Sequence, residues 1–304
     1  SAMPRGVFSV SAATFDAGWL GLRATYDAAA TGRGPAAVLA RDFGAALRRR
    51  QERGVLRLCD LGGGTGANVC RLAPRIPGSQ HWTVVDNDAG LLAAVADTVI
   101  AWARSIGGHV DADADSVSVT TPQRIVTVTV RHADLRRGLA GLPLTEMDGA
   151  TGSALLDFVS DDWLAGAVAA LATHRLPALF TLNVDGTLAW RPALASDREI
   201  AAAFSRDLGR DKGFGPALGA RAAAAAMAEF AARGYAWQVA GADAPMLQAL
   251  LSFVEPAALS QAPEGEADDA WRPRIAAWAA ARRAQIAAGT VSLTVGHVDL
   301  LALM

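Results

Sequence analysis

Apolar runs of strand length and apolar stripes of helical spacing alternate along this chain. Residues Val55 to Leu61 form a first run. After a glycine-rich break, Val69, Leu72, Ala73 and Ile76 recur at helical spacing until Pro77-Gly78 stops them. Residues 81–86 read as a second strand. Leu91, Leu92, Val95, Val99, Trp102 and Ile106 line one face of the next helix, which ends at Gly107-Gly108. Arg124 to His132 alternates strictly and predicts a third strand, with 116–120 as a hairpin partner turned by Thr121-Pro122-Gln123. Further strands are expected at 150–156, 178–183, 235–240 and 293–303, with a helix over Asp161 to Thr173. Such alternation predicts an α/β fold, a Rossmann-like parallel sheet with helices on both faces.

The break after the first strand carries the chemistry. It reads Cys59-Asp60-Leu61-Gly62-Gly63-Gly64-Thr65-Gly66, and the second strand closes on Asp86-Asn87-Asp88. Glycines at 62, 64 and 66 let the backbone turn sharply and approach a ligand that a Cβ would hold off. Two cofactor classes use such a turn. As Gly62-x-Gly64-x-x-Ala67 it satisfies the dinucleotide pattern, and Asp86 lies 86 − 66 = 20 residues past Gly66, where a ribose-binding acid is expected. Asp60 separates the two, because a carboxylate two residues before the first glycine repels a pyrophosphate and attracts an α-amino group.

With that acid in place, the segment resembles the first motif of the class I S-adenosylmethionine-dependent methyltransferases, an acid, any residue, then Gly-x-Gly-x-Gly. Asp60, Gly62, Gly64 and Gly66 match it. The resemblance implies a seven-stranded sheet with an antiparallel last strand. It also implies S-adenosyl-L-methionine as cofactor, S-adenosyl-L-homocysteine as product, and Asp60, Gly62, Gly64, Gly66, Asp86, Asn87, Asp134 and Leu135 as the cofactor-binding set. The Asp134 carboxylate would meet the adenine amine. Asp157 occupies the slot beside the methyl group and is the catalytic candidate; the Phe158-Val159-Ser160 that follows lacks the Pro-Pro-aromatic signature of DNA adenine methylation. An NAD-dependent oxidoreductase and a non-catalytic S-adenosylmethionine-binding protein stay open as alternatives.

Three segments exceed a minimal core. Residues 1–50, with Trp19, Leu22 and Tyr26, read as an N-terminal helical cap over a domain of 51–304. Insertions at about 185–218 and 241–290 would build a lid or an oligomer surface. Ligands in such folds sit at the carboxyl ends of the strands, which makes Ser160 and Asn183 substrate-binding candidates along with Tyr26 from the cap. The first insertion adds Trp190, Lys212 and Phe214, on the expectation that Asp211 to Gly219 closes on a substrate, with the lysine engaging an anionic or hydroxylated group.

Composition narrows the partners. With 304 residues, 52% hydrophobic and 19% charged, the chain is globular, and its net charge of −2 offers no footprint for nucleic acid or an anionic membrane. Cys59 and Cys70 read as small core residues in a reducing, cytoplasmic compartment, and no histidine shares metal-ligand spacing, so no metal is expected. The expected partners are a small-molecule substrate and, as the assembly the extra helices could support, a homodimer.

Overall fold

A computed structural model describes residues 34–49, 54–241, 244–245, 248–263 and 268–304. Trp19, Leu22 and Tyr26 lie outside the described residues. Of residues 1–50 the structure describes α1, Gly34–Arg48, which is followed by β1, Val55–Leu61, and α2, Ala67–Leu72. Next come β2, Ser79–Asp86; α3, Ala89–Ala93; α4, Val95–Ser105; and the strands β3, His109–Ala112, β4, Ser116–Thr121, and β5, Arg124–His132. The chain continues through β6, Gly149–Ser153; α5, Asp161–Thr173; β7, Ala178–Arg191; α6, Asp197–Leu208; α7, Ala222–Ala232; and β8, Ala236–Gly241. It closes with β9, Ala244–Pro245; α8, Gln248–Leu259; α9, Asp268–Ala287; and β10, Ser292–Leu303.

The strands lie in the order β3-β4-β5-β2-β1-β6-β7-β10-β8, with β9 pairing alongside β10. From β5 to β7 neighbours are parallel, whereas β10 runs antiparallel to both β7 and β8. The sheet is therefore mixed and, among the described residues, has ten strands, which corrects the expected seven. The surplus lies at the margins. The alternation at 116–121 does pair with β5, its turn closed by Thr121 Oγ1 and Arg124, and His109–Ala112 then adds a further antiparallel strand to that edge.

Inside, α1 clamps the sheet where β6 begins. Phe43 and Leu47 are fully buried, and a Cβ on Gly149 would strike Leu47 Cδ2 at 2.7 Å, so a glycine there lets the helix seat.

The two insertions fold together. Strand β7 does not stop near 183 as the sequence predicts but continues to Arg191, paired with Ser292–Val295 of β10. This ribbon carries α6, α8 and α9 around a second core that includes Trp190, Phe204, Trp271, Ile275, Trp278 and Leu293. At its centre Arg282 is fully buried, its Nη2 donating to both oxygens of Asp197 at 2.5 and 2.6 Å and its Nη1 to Pro192 O at 2.8 Å. Trp278 Nε1 donates to the same Asp197, and the guanidinium lies 4.6 Å from the centroid of Trp190. The pair thus joins a residue of the first insertion to one of the second.

A buried ion pair that loses one member leaves a charge without compensation, at a cost of about 3 to 5 kcal/mol, whereas an exposed pair is worth about 0 to 1 kcal/mol. Arg282→Ala should therefore lower unfolding free energy by about 3 kcal/mol or more. Arg221→Ala, which removes an ion pair with both partners about two-thirds exposed, should change it by less than about 1 kcal/mol. Urea titration of both variants measures the contrast, and equal small losses would show that the buried pair does not hold the insertions together.

Candidate functional site

At the carboxyl end of β1 the chain turns through Gly62, Gly64 and Gly66 with φ of 63°, 52° and 79°. These angles lie in the left-handed region, which glycine enters without strain. The turn is pinned to its neighbour: Gly63 N donates to Val85 O at 3.1 Å, and Gly64 N to Asp86 Oδ2 at 2.9 Å. Asp86 Oδ1 accepts from Asp88 N at 3.0 Å. Its carboxylate is thereby oriented at the end of β2 and partly exposed. The adjacent Asn87 is exposed, and its carbonyl meets His132 Nε2 at 3.0 Å.

Asp60 sits deeper than the sequence suggests. It is fully buried, and its Oδ1 accepts from Asn68 Nδ2 at 2.6 Å and Thr151 Oγ1 at 2.7 Å. Oδ2 has no hydrogen-bond partner among the described residues and lies under the turn, where a Cβ on Gly63 would meet it at 2.8 Å. Burial raises the Asp60 pKa, opposed by hydrogen bonds from Thr151 and Asn68 and by the charge of Arg71. Arg71 continues the polar row, with Nη2 donating to Asn68 Oδ1, Ser153 Oγ and Thr181 Oγ1 at 2.5, 3.1 and 3.2 Å. Asn68, Arg71, Thr151, Ser153 and Thr181 were missed by the sequence reading. Their signal was available as hydroxyls two apart in a short strand and two polar residues three apart on a helix.

Asp134 follows β5 and caps the short turn Leu135–Arg137. Arg136 binds both of its oxygens at 2.8 Å and holds the carboxyl below its usual range. An adenine amine would share that carboxylate with Arg136. Leu135 is buried, and its carbonyl accepts from Trp163 Nε1 at 2.5 Å.

Beyond β6, Asp157 is buried and Ser160 caps α5 through Trp163 N. The segment Asp211 to Gly219 packs directly over this stretch. Leu218 N donates to Val159 O and Gly219 N to Asp157 O, at 2.8 and 3.0 Å. Phe214 meets Trp163 edge-on at 5.6 Å, and Lys212 Nζ lies 4.7 Å from the Phe158 centroid while donating to Leu208 O. Burial lowers the Lys212 pKa, against the opposing charges of Asp207 and Asp157. Asp157, Ser160, Lys212 and Phe214 thus gather at one strand end. Trp190 does not join them, since it packs in the second core. Asn183 is buried in β7, with Nδ2 donating to Phe180 O and Val298 O, so its side chain supports the β7–β10 irregularity.

Cys59 and Cys70 pack into the interior, and burial pushes both thiols up to about 12, which keeps them protonated and unreactive. Among the described residues no three His, Cys, Asp or Glu side chains gather for a metal, and no helix is long and apolar enough to cross a membrane.

No family model matches the chain, and no curated protein does. Solved structures similar to it include a SAM-dependent methyltransferase from Geobacter sulfurreducens in complex with S-adenosyl-L-homocysteine, at 15% identity and TM-score 0.40, covering 92% of this chain and 97% of that one. Another from Thiobacillus denitrificans, with the same ligand, shows 19% identity and TM-score 0.38 over 88% and 91%. The cyclopropane synthase MmaA2 from Mycobacterium tuberculosis shows 12% and 0.39 over 85% and 82%. Likenesses this distant assign no function, which has to rest on the residues.

Because the Asp60 pKa is raised in the fold, the folded state holds its proton to higher pH than the unfolded chain does. The cost of the buried charge is absent below the unfolded pKa and appears as pH rises through the folded one. Asp60→Asn should therefore gain thermal stability relative to wild type as pH rises above about 4, with the gap closing below it. Melting temperatures across that range test this, and a gap that widens on acidification would refute it.

Proposed function

We propose that the chain is an S-adenosylmethionine-dependent methyltransferase acting on an oxygen or nitrogen of a small metabolite. The observation that carries this reading is the antiparallel β10 between β7 and β8. A dinucleotide fold repeats its mononucleotide half as a sixth parallel strand beside the fifth, and here that position is taken by a strand of opposite direction. The turn after β1 and the Asp86 carboxylate then serve one nucleoside.

The residues fit such a ligand. The three left-handed glycines leave a turn that a nucleoside can approach, and the Asp86 oxygens keep lone pairs to accept from ribose hydroxyls. Bound there, the cofactor would supply an electrophilic methyl group on a sulfonium. What the chain contributes is alignment and proton handling. Asp157, in the segment that follows β6, is the carboxylate that would take a proton from the acceptor, with Lys212 as its counter-charge. Phe214 and Trp163 close that end with apolar surface and exclude water.

Calorimetry tests the cofactor. S-Adenosylhomocysteine should bind more tightly than NAD, and Asp86→Ala should weaken it by about tenfold to a hundredfold, from roughly 1.5 to 3 kcal/mol per charged hydrogen bond. Tighter binding of NAD would overturn the reading. Once an acceptor is found in a metabolite panel, Lys212→Ala and Phe214→Ala should lower turnover while S-adenosylhomocysteine affinity stays within about twofold. Loss of cofactor binding in either variant would move that segment out of the acceptor side.

A further inference from the structure

The two edges of the sheet are finished differently. At one, β3 carries Asp111 and the turn that follows adds Asp113 and Asp115, all exposed, and charge of this kind keeps an edge strand from pairing with another chain. At the other, β8 reads Ala236-Trp237-Gln238-Val239-Ala240-Gly241, with no charge and no proline. Residues 236–239 are all exposed. Trp237 and Val239 are each 43% exposed, and among the described residues no other tryptophan is exposed. Tryptophan is among the residues most enriched where interfaces are anchored.

Both faces of this edge are backed by a helix. Trp237 and Val239 lie opposite Ala302 and Leu300 of β10, which share a core with Ala222, Ala226 and Phe230 of α7. Gln238 lies opposite Leu301, which shares the other core with Phe43 and Leu47 of α1. The edge is therefore a rim of three layers, since α1 and α7 both pack on β8. Six residues of strand span about 20 Å, and three layers of about 10 Å each give a thickness of about 30 Å. Such a rim covers about 600 Å² in projection and exposes more than that, on the scale of the ~800 Å² per partner that a stable interface buries.

We infer that β8 is the interface of a two-fold homodimer, in which it pairs antiparallel with β8 of a second copy and continues the sheet. A two-fold axis normal to the sheet keeps each face continuous, so side chains meet only others of their own face. Centred on Gln238, it sets Trp237 against Val239 of the second copy, an aromatic and β-branched pair, and Gln238 against itself. The strand carries no charge, so self-pairing forces no like charges together. Its exposed side chains find their complement within the same six residues, which favours a second copy over an unrelated peptide. The axis also reverses strand direction, so the two β1 turns open at opposite ends and the interface obstructs neither. This inference is independent of the proposed cofactor.

Sedimentation of the full chain at about 10 to 100 μM tests it. Wild type should run at twice the chain mass. Gln238→Glu and Gln238→Lys, each placing a like charge opposite itself at the axis, should raise the dimer dissociation constant by about tenfold or more. An equimolar mixture of the two should form dimers again, because opposite charges then meet. Val239→Lys, which sets a charge against Trp237 of the second copy, should also dissociate the dimer. Circular dichroism checks that the variants fold, and the two Gln238 variants carry the comparison if Val239→Lys does not. A monomeric wild type, single variants that stay dimeric, or a mixture that stays monomeric would each overturn the inference.

Discussion

The constraint on which the site depends is the space beneath the β1 turn. Gly63 lies so close to Asp60 Oδ2 and Val84 Cγ1 that an added Cβ would meet each at 2.8 Å. Its amide is spent on Val85, so the turn is held down onto β2 and cannot lift to relieve a side chain. With Gly63 seated, Gly64 can donate to Asp86 and the ends of β1 and β2 become one rigid edge. Gly66, in the left-handed region, then releases the chain into α2, which brings Asn68 and Arg71 back over the same strand ends.

Those strand ends are unusually polar for a sheet interior. Asp60, Thr151 and Thr181 are all buried, and burial of such groups is tolerable because each is hydrogen-bonded. Asn68 and Arg71 cross-link three strands in this way, stiffening the mouth on one side. Backbone bonds also tie the residues after β6 to those before α7.

The insertions extend the sheet. Their support is the β7–β10 ribbon, whose outer part turns past Gly186 at φ 88° and packs Asp185 over Gly296, where any Cβ would overlap its carboxylate. On the ribbon the buried Arg282 and its tryptophans tie α9 to α6. Neither insertion has such a core alone, so a truncation of one exposes the other.

How much of this was legible follows from the range of each signal. The β1 turn, Asp86, the alternating β4–β5 hairpin and the succession of strands and helices are local patterns, carried by residues that are neighbours along the chain. Gly63 was overlooked because a glycine needed for close packing looks, in sequence, like any other glycine of the turn. The period of a strand tells which face a residue takes but not which residue it will meet. So Thr151 and Ser153 could be placed on one face, while their meeting with Asp60 and Arg71, 91 and 82 residues away, required the register of β6 between β1 and β7. Trp190 shows the same limit, since its aromatic character suited either a substrate wall or a core. The continuation of β7 to Arg191 decided for the core, because it carried Trp190 out along the ribbon to where α9 supplies Arg282. By itself the sequence determined the turn, its acids and the alternation of elements. Only the tertiary structure decided which distant polar groups share the site, because their pairing depends on strand register.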